Sequence, residues 1–554
     1  MHLIRVISIF IVVLLSSCAV VCGQQFDEQF DLWPINLKIN GTVVAGGGGA
    51  MPSEAVKIFL AAAKDDQAMP VTVRFEAAAG NSENVLTDEF EEIEKQTVIS
   101  LSPDDVGLSR DQADSIATSK AIWIHADRRL VKKQKDVLKQ VLDAAKTAVE
   151  NGATVFLNGS PAEYLGRFKS DTLLSLRTIQ DASDLVSDTV ILESYVDETR
   201  RGELLSILAA NPRCVGIGIE KDTAIVLRGR KIRVLGEGAA TFCLMANEHQ
   251  TLRVQHVKQA QSRRANPYET IIDLTAWRRD AIERTVEPFP AAQPPTPIVE
   301  NGTLLIVGGG GMPEGLMEKM VELAGGEDAR LVYVPCSESD EISGPQRTVE
   351  QWKKMGVNSA TFIHTKDRLK ANSDEGFLAP LESATGIWFG GGRQWNFSDS
   401  YYGTRAHELM KQVLARGGVI GGSSAGASIQ ARYMCRANPV ANFDIMAPGY
   451  ERGLGFIGGV AIDQHFSQRG RQKDMTQLVN RYPQLLGIGL DEGTAIIVTQ
   501  SQAEVLGRGK VHFYDRNQPV IPGTDDFLAL ESGSIFDLAE RQVVEKESES
   551  ESDD

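Results

Sequence analysis

Residues 417–427 read Gly417-Gly418-Val419-Ile420-Gly421-Gly422-Ser423-Ser424-Ala425-Gly426-Ala427. A short apolar run enters a turn of glycine and serine and leaves it in small residues, so the stretch predicts a strand, a sharp turn and the start of a helix. Within it, Gly422-x-Ser424-x-Gly426 fits the G-x-S-x-G elbow, whose glycines let the chain turn sharply and lift a hydroxyl above the end of a sheet. The next backbone N–H, that of Ala425, is then placed as an oxyanion donor. A structural turn rich in glycine and serine has the same composition, so the motif needs partners elsewhere in the chain.

Outward from this turn, the chain is written twice. Asn40-Gly41-Thr42 opens a run ending in Gly46 to Gly49 and then Ala50-Met51-Pro52. Asn301-Gly302-Thr303 opens a second, ending in Gly308 to Gly311 and Met312-Pro313. Ala121-Ile122-Trp123-Ile124 answers Gly386-Ile387-Trp388-Phe389. Gly216-Ile217-Gly218-Ile219 answers Gly487-Ile488-Gly489-Leu490. Thr223-Ala224-Ile225 matches Thr494-Ala495-Ile496, and Leu235-Gly236-Glu237-Gly238 matches Leu506-Gly507-Arg508-Gly509, with these last three pairs all at an offset of 271.

In each copy, short apolar strands alternate with amphipathic stretches such as Arg405 to Arg416, the pattern of a mainly parallel sheet with helices on both faces. The expected organisation is two tandem α/β domains, 37–258 and 297–520, with a linker over 259–296 that contains Pro294-Pro295-Thr296-Pro297. The four-glycine turns do not fit a dinucleotide fingerprint. G-x-G-x-x-G from Gly308 meets Pro313, and from Gly46 it meets Met51. A tight turn whose backbone approaches a ligand closely is expected instead.

The whole chain of 554 residues has a formal net charge of −17, 42% hydrophobic and 24% charged residues. That composition is globular and excludes a disordered or collagen-like chain; a dedicated nucleic-acid binder would need a basic face. At the N-terminus Arg5 precedes the apolar run Val6 to Leu15, so residues 1–23 read as a signal peptide. Leu15-Ser16-Ser17-Cys18 resembles a lipobox that would leave Cys18 lipidated, whereas cleavage after Gly23 would free Gln24; both readings stand. The expected location is periplasmic or extracellular, with membrane contact only through such an anchor. Cys214, Cys243, Cys336 and Cys435 lack C-x-x-C spacing and read as small buried residues, although a Cys214–Cys243 bridge is permitted in an oxidising compartment. The extension 521–554 ends in Glu545 to Asp554, which has no apolar residue and reads as a solvated acidic tail.

A serine nucleophile needs a base. The second copy offers His364, His407, His465 and His512, of which His465 stands out in Asp463-Gln464-His465-Phe466, with Arg469 and Arg471 close behind. Asp491-Glu492-Gly493-Thr494 supplies an acid after the strand-like Leu485 to Leu490, at the kind of strand end where α/β sheets hold ligands. Together Gly-Gly-Ser-Ser-Ala-Gly-Ala, Asp-Gln-His-Phe with its Arg-x-Arg, and Leu-Asp-Glu-Gly-Thr-Ala-Ile resemble cyanophycinase, a family that belongs with aspartyl dipeptidase E among the serine peptidases. The resemblance covers roughly residues 300 to 515 and includes four motifs in family order.

It implies a flavodoxin-like or class I glutamine-amidotransferase-like fold, with Ser424 as nucleophile, His465 as general base and Glu492 as orienting acid. Gly391-Gly392-Arg393-Gln394 corresponds to the family's Gly-Gly-x-Gln segment. That match implies a backbone oxyanion donor at Gly391 or Gly392 beside Ala425, and Gln394 at the substrate. Asp463, Gln464, Arg469 and Arg471 are implied as substrate contacts. No metal or organic cofactor is implied, and no H-E-x-x-H or comparable ligand spacing occurs. The implied partner is cyanophycin, cut to β-Asp-Arg dipeptides, or another acidic aspartyl peptide. Asp474 stands where the family pattern places a third arginine, which leaves that choice open. A homo-oligomer also stays open.

The two copies part at these residues. At offset 271, His465 falls against Ser194, Arg469 against Glu198 and Glu492 against Lys221. Gly390 to Gln394 fall against His125-Ala126-Asp127-Arg128-Arg129, and Ser424 against Gly159, or against Ser160 if one gap is allowed. The first copy is therefore expected to be degenerate and non-catalytic. Two other classes stand beside the peptidase reading: a non-catalytic surface binding protein, and an amidotransferase-like enzyme, which would place a cysteine at the elbow.

Overall fold

The structure, a computed structural model, describes residues 33–545 except 35, 38, 65–68, 76–95, 127–130, 132, 174–175, 197, 263–264, 343 and 345. The leader with Cys18 and the segment Asp127 to Arg129 lie outside the described residues, as does the tail from 546 on. The chain divides into two compact units: Leu37–Glu287, and Pro288–Asp554 together with the residues before Leu37.

The first unit runs through β1 (Thr42–Gly46), β2 (Val71–Phe75), β3 (Thr97–Leu101), β4 (Ala121–His125) and β5 (Thr154–Asn158). A hairpin of β6 (Phe168–Leu173) and β7 (Leu176–Asp181) follows, then β8 (Thr189–Leu192), β9 (Val215–Ile219) and β10 (Thr223–Arg228). β11 (Lys231–Gly236), β12 (Ala239–Leu244), β13 (Arg253–Lys258) and β14 (Ile271–Asp273) complete it. The main sheet has the order β14-β11-β10-β1-β5-β4-β2-β3. From β1 to β3 its neighbours are parallel, and β10, β11 and β14 extend it antiparallel. β1 is buried along its whole length, as an apolar strand covered on both faces must be. The helix Lys135–Glu150 buries Val137, Leu138, Val141, Leu142, Ala145, Ala148 and Val149, one stripe at helical spacing.

The second unit runs through β15 (Val299–Val307), β16 (Arg330–Val334), β17 (Ser359–Phe362), β18 (Gly386–Phe389) and β19 (Val419–Ser423). Next come β20 (Ala431–Met434), β21 (Ile457–Gln464), β22 (Leu486–Leu490), β23 (Thr494–Gln500) and β24 (Gln502–Gly507). β25 (Val511–Tyr514), β26 (Leu528–Leu530), β27 (Ile535–Asp537) and β28 (Gln542–Val543) close the chain. The main sheet order is β17-β16-β18-β19-β15-β23-β24-β27-β28, again parallel as far as β15 and antiparallel beyond. Read from β3 and from β17, the two main sheets have the same strand order over eight positions. The smaller sheets agree as well, with β8-β9-β12-β13 set against β21-β22-β25-β26. The predicted helix at Arg405 spans Arg405–Ala415, capped by Thr404 and buried along Ala406, Leu409, Met410, Val413 and Leu414.

Two boundaries differ from the sequence reading. The stretch expected as a linker, 259–296, holds β14 paired to β11, and the helix Leu274–Glu283 with buried Leu274, Trp277 and Ala281. Its charges misled because they are paired. Arg278 meets Asp188 at 2.6 Å, Asp280 meets Arg253 at 2.5 Å, and the Arg253 guanidinium lies over the Trp277 ring. In the extension expected from 521, β26 pairs with β25 and β27 with β24, so residues up to Val543 belong to the sheets. Trp33 and Asn36 pack with the second unit. Trp33 sits edge-on to Tyr402 at 5.0 Å, and Asn36 Nδ2 donates to Lys366 O and Asp399 O. Cys214, Cys243 and Cys435 are buried and Cys336 half-buried, all as free thiols.

Candidate active site

β19 lies between β18 and β15 in the parallel part of the second main sheet, and Ser424 is the first residue past its end. There the chain takes φ 57° and ψ −113° and starts the helix Ala425–Ser428. A non-glycine residue in this region costs on the order of 1–3 kcal/mol. The turn is held by a hydrogen bond from Ser424 N to Val307 O at 3.0 Å. The flanking glycines are steric necessities: a Cβ at Gly422 would lie 2.3 Å from Gly426 O, and one at Gly426 would lie 2.1 Å from Phe389 O.

Ser424 Oγ is 2.9 Å from His465 Nε2, and His465 Nδ1 is 2.6 Å from Glu492 Oε1. His465 leaves β21 with φ 51° and donates its backbone N–H to Gly308 O at 2.8 Å. Glu492 rides the turn between β22 and β23, where Gly493 N donates to Gly309 O at 2.8 Å. Burial lowers the His465 pKa below the ordinary histidine value, against the raising influence of its hydrogen bond to Glu492. A carboxylate at Nδ1 favours the tautomer protonated there, which leaves Nε2 facing Ser424 Oγ as the acceptor.

The glycine turn after β15 serves this pair. A Cβ at Gly309 would lie 2.4 Å from His465 Cε1, and one at Gly310 would lie 2.5 Å from Glu492 Cδ. The close approach expected of these glycines is therefore to the imidazole and carboxylate. Gly391 is also near, since a Cβ there would lie 3.6 Å from Ser424 Cβ. Among the described residues nothing accepts a hydrogen bond from the N–H groups of Ala425, Gly391 or Gly392. The other three histidines of this unit do not reach Ser424. His407, for example, is buried, donates from Nε2 to Leu454 O, and has its pKa pushed down to about 3 by burial.

The residues expected to touch substrate divide. Arg469 is exposed and makes no ion pair among the described residues. Asp463 and Arg471 are corrected: Asp463 is fully buried and accepts from Arg436 Nε at 2.8 Å and Arg471 Nη1 at 3.0 Å. An uncompensated buried carboxylate is so costly that the two guanidiniums are drawn to it rather than left free. Gln464 is buried beside them, its backbone carbonyl accepting from Arg471. Gln394 is buried too, and its Nε2 donates to Cys435 O at 2.6 Å, tying the Gly391–Gly392 segment to the chain beyond β20. Asp474, in place of an expected arginine, accepts from Arg436 Nη2 at 2.5 Å. Sequence reading missed Arg436, which lies in no motif. It also gave no role to Asp491, quoted in the motif beside Glu492, which accepts from Ser467 N and Lys510 N. Burial would raise the Asp491 pKa, but hydrogen bonds from His512, Ser467 and the Lys510 amide hold it at about 2.

The first unit has a comparable turn built from other residues. Gly159, with φ 70° and ψ −140°, donates to Gly46 O, which settles the alignment in favour of Gly159 opposite Ser424. Ser194, with φ 48°, donates to Gly47 O as His465 does to Gly308 O, and Lys221 in place of Glu492 is exposed. Where a Cβ on Gly48 or Gly159 would point, the Glu193 carboxylate stands, held by Ser160 Oγ at 2.7 Å.

Ser424, His465 and Glu492 are thus hydrogen-bonded in series at the end of a parallel sheet, an arrangement of the kind that serine hydrolases use. Residues 304–506 match the sequence pattern of peptidase family S51. The cyanophycinase of Geminocystis herdmanii is 28% identical over 203 residues, 36% of this chain and 74% of that protein. The cyanophycinase of Synechococcus elongatus is 28% identical over 249 residues, 42% of this chain and 76% of that protein. Among solved structures, a peptidase from an acI-B1 Actinobacterium aligns with 21% identity and a TM-score of 0.32, covering 44% of this chain and 98% of that one. The chain is accordingly a relative of the S51 peptidases and, within them, of the cyanophycinases.

Proposed function

We propose that the second unit is a serine peptidase acting on aspartyl peptides through Ser424, His465 and Glu492. The hydrogen-bonded series from Ser424 Oγ to His465 to Glu492 carries the reading. In it, Ser424 Oγ attacks a peptide carbonyl and its proton passes to His465 Nε2, while Glu492 fixes the Nδ1–H tautomer and stabilises the imidazolium. The oxyanion faces the N–H groups of Ala425 and of Gly391 or Gly392, each worth about 10²–10³ in rate. The imidazolium protonates the departing amine, and water then releases the acyl group from Ser424. Arg469 binds a substrate carboxylate from the exposed side.

The first unit is a duplicated, non-catalytic copy on this reading, supported by the shared strand order and by glycine, serine and lysine in the three key places. The leader directs export, with or without lipidation at Cys18. Cyanophycin is the first substrate candidate, given the relatives. A different acidic peptide is the second, favoured by one observation: Asp474 faces Arg436, so only Arg469 of the expected arginines is free for substrate.

The test is incubation of the mature protein with cyanophycin and with a panel of aspartyl di- and tripeptides, comparing wild type with Ser424→Ala. Release of β-Asp-Arg, or of a panel product, by wild type alone is the expected result. Equal release by both proteins, or none by either, sinks the assignment. Mass of the mature N-terminus checks the leader: a start at Gln24 excludes a Cys18 anchor.

A further inference from the structure

Glu492 is half-buried on the turn between β22 and β23, and its carboxylate reaches His465 only if that turn stays in place. Its backbone N–H donates to Gln468 Oε1 at 2.9 Å. Gln468 belongs to the short 3₁₀ turn Ser467–Arg469, which begins one residue, Phe466, after His465. One side chain thus ties the peptide of the acid to the segment of the base, across 24 residues of chain. Gly493 N to Gly309 O and Asp491 N to Lys510 O fix the two neighbours of Glu492, but neither holds the Glu492 peptide itself.

The first unit separates contacts that hold the fold from contacts that serve the site. Asp491 Oδ2 accepts from Lys510 N, and Glu220 Oε2 accepts from Ala239 N, at matching positions. Thr494 Oγ1 accepts from Gly509 N, and Thr223 Oγ1 from Gly238 N, again at matching positions. Those ties survive where histidine and glutamate have been lost. The glutamine does not: at offset 271, Gln468 is answered by Asp197, a position outside the described residues, just as His465 is answered by Ser194 and Glu492 by Lys221. The change of type follows the change of charge at the partner. Beside the Glu492 carboxylate stands a neutral acceptor, which can hold the peptide without adding a like charge that would disfavour the ionised acid. In the sequence of the first copy, lysine stands at the position of that carboxylate and aspartate at the position of the glutamine. The residue here varies with the group that the site needs, whereas the ties that hold the sheets do not vary.

We propose that Gln468 is a positioning residue, whose amide oxygen holds the Glu492 peptide so that the carboxylate stays on His465 Nδ1. This rests on the Ser424–His465–Glu492 reading above. Its consequence is specific to proton handling: without the tie, Glu492 spends less time on the imidazole, and both the nucleophilicity of Ser424 and the basicity of His465 fall. Three charged groups act on His465: Glu492, which raises its pKa, and Arg469 and Arg471, which lower it.

The test needs no natural substrate. A fluorophosphonate reacts with an activated serine as Oγ–P forms, P–F breaks, fluoride leaves and the serine proton passes to the histidine. The rate of adduct formation at Ser424 is followed by mass spectrometry across pH, with Ser424→Ala as the blank. Gln468→Leu and Gln468→Ala are expected to label roughly tenfold more slowly, the rate equivalent of one hydrogen bond's net contribution, with Tm unchanged. Their acid limb is expected to move to lower pH. Gln468→Glu keeps the acceptor and, above its acid limb, is expected to label within about threefold of wild type, with that limb moved to higher pH by the added charge. Wild-type rates and an unmoved limb in Gln468→Leu overturn the proposal, as does a Gln468→Glu no better than Gln468→Leu. Failure of wild type to label at Ser424 overturns the triad reading itself, and this inference with it.

Discussion

At the end of the strand that leads into each elbow, Ser424 has φ 57° and Gly159 has φ 70°, and each donates its N–H to the neighbouring β15 or β1. In the second unit a hydroxyl, an imidazole and a carboxylate meet over that turn. In the first, a glutamate fills the same place, and serine and lysine stand where histidine and glutamate would be needed. The difference teaches that the positive-φ turn belongs to the sheet, whereas the strain of a side chain in it is met only at Ser424. Backbone hydrogen bonds from the next strand sustain the turn whether or not a nucleophile sits there. Chemistry is a set of side chains added to a backbone that is stable without them.

The sharpest way to break this comparison is to remove a group from each unit. Ser424→Ala is expected to lower kcat/KM by at least about 10⁴-fold, while Lys221→Ala and Ser194→Ala in the first unit leave it unchanged, as steady-state assays on the best aspartyl peptide will read. Comparable losses from both units would make the first unit a second working site. Glu492→Gln is expected to cost about 10²–10⁴-fold with KM little altered, because the amide cannot stabilise the imidazolium.

Gly309→Ala and Gly48→Ala form a matched pair at positive φ, 93° and 87°. The first drives a methyl to 2.4 Å from His465 Cε1 and is expected to reduce activity at least about tenfold. The second meets a Glu193 carboxylate oxygen at 3.1 Å and the Ser194 hydroxyl at 3.4 Å, and is expected to cost about 1–2 kcal/mol of stability with activity intact. Chemical denaturation and kcat/KM measured on both variants separate the outcomes.

The smallest expected effect is in pH. His465 must be neutral to take the Ser424 proton, and its pKa is lowered by burial, so the acid limb of kcat/KM is expected to fall below the ordinary histidine value of 6.5. A limb above 6.5 would mean that Glu492 dominates over burial.

Much of this was legible in the sequence because the decisive residues carry local signatures. Glycines forced by backbone collisions at Gly422 and Gly426, and runs such as Val419-Ile420, announce a strand and elbow without neighbours in view. The motifs around His465 and Glu492 are equally compact, and the offset of 271 shared by the last three matched pairs aligned the ends of the two units before any coordinate. The ion-pair cluster under the site was not legible. Asp463, Arg436 and Arg471 meet through folding across as many as 27 positions, with no spacing rule to link them, so two were read as substrate contacts. The segment around Trp277 was misread for a related reason. Composition counts its arginines and acids as solvated, whereas the fold pairs Arg278 with Asp188 and Asp280 with Arg253.

Trp33 and Asn36 also set an order of events. A ribosome delivers Leu37–Glu287 in full before any of the second unit's own sheet exists, so the first unit has its complete set of strands early. The partners of Asn36, Lys366 and Asp399, emerge 330 and 363 residues after it. Closing so long a loop is slow, and it falls to the unit that carries Ser424. Trp33 and Asn36 are therefore expected among the last residues to find their place, and the unit that carries Ser424 is expected to mature behind the one that carries Gly159.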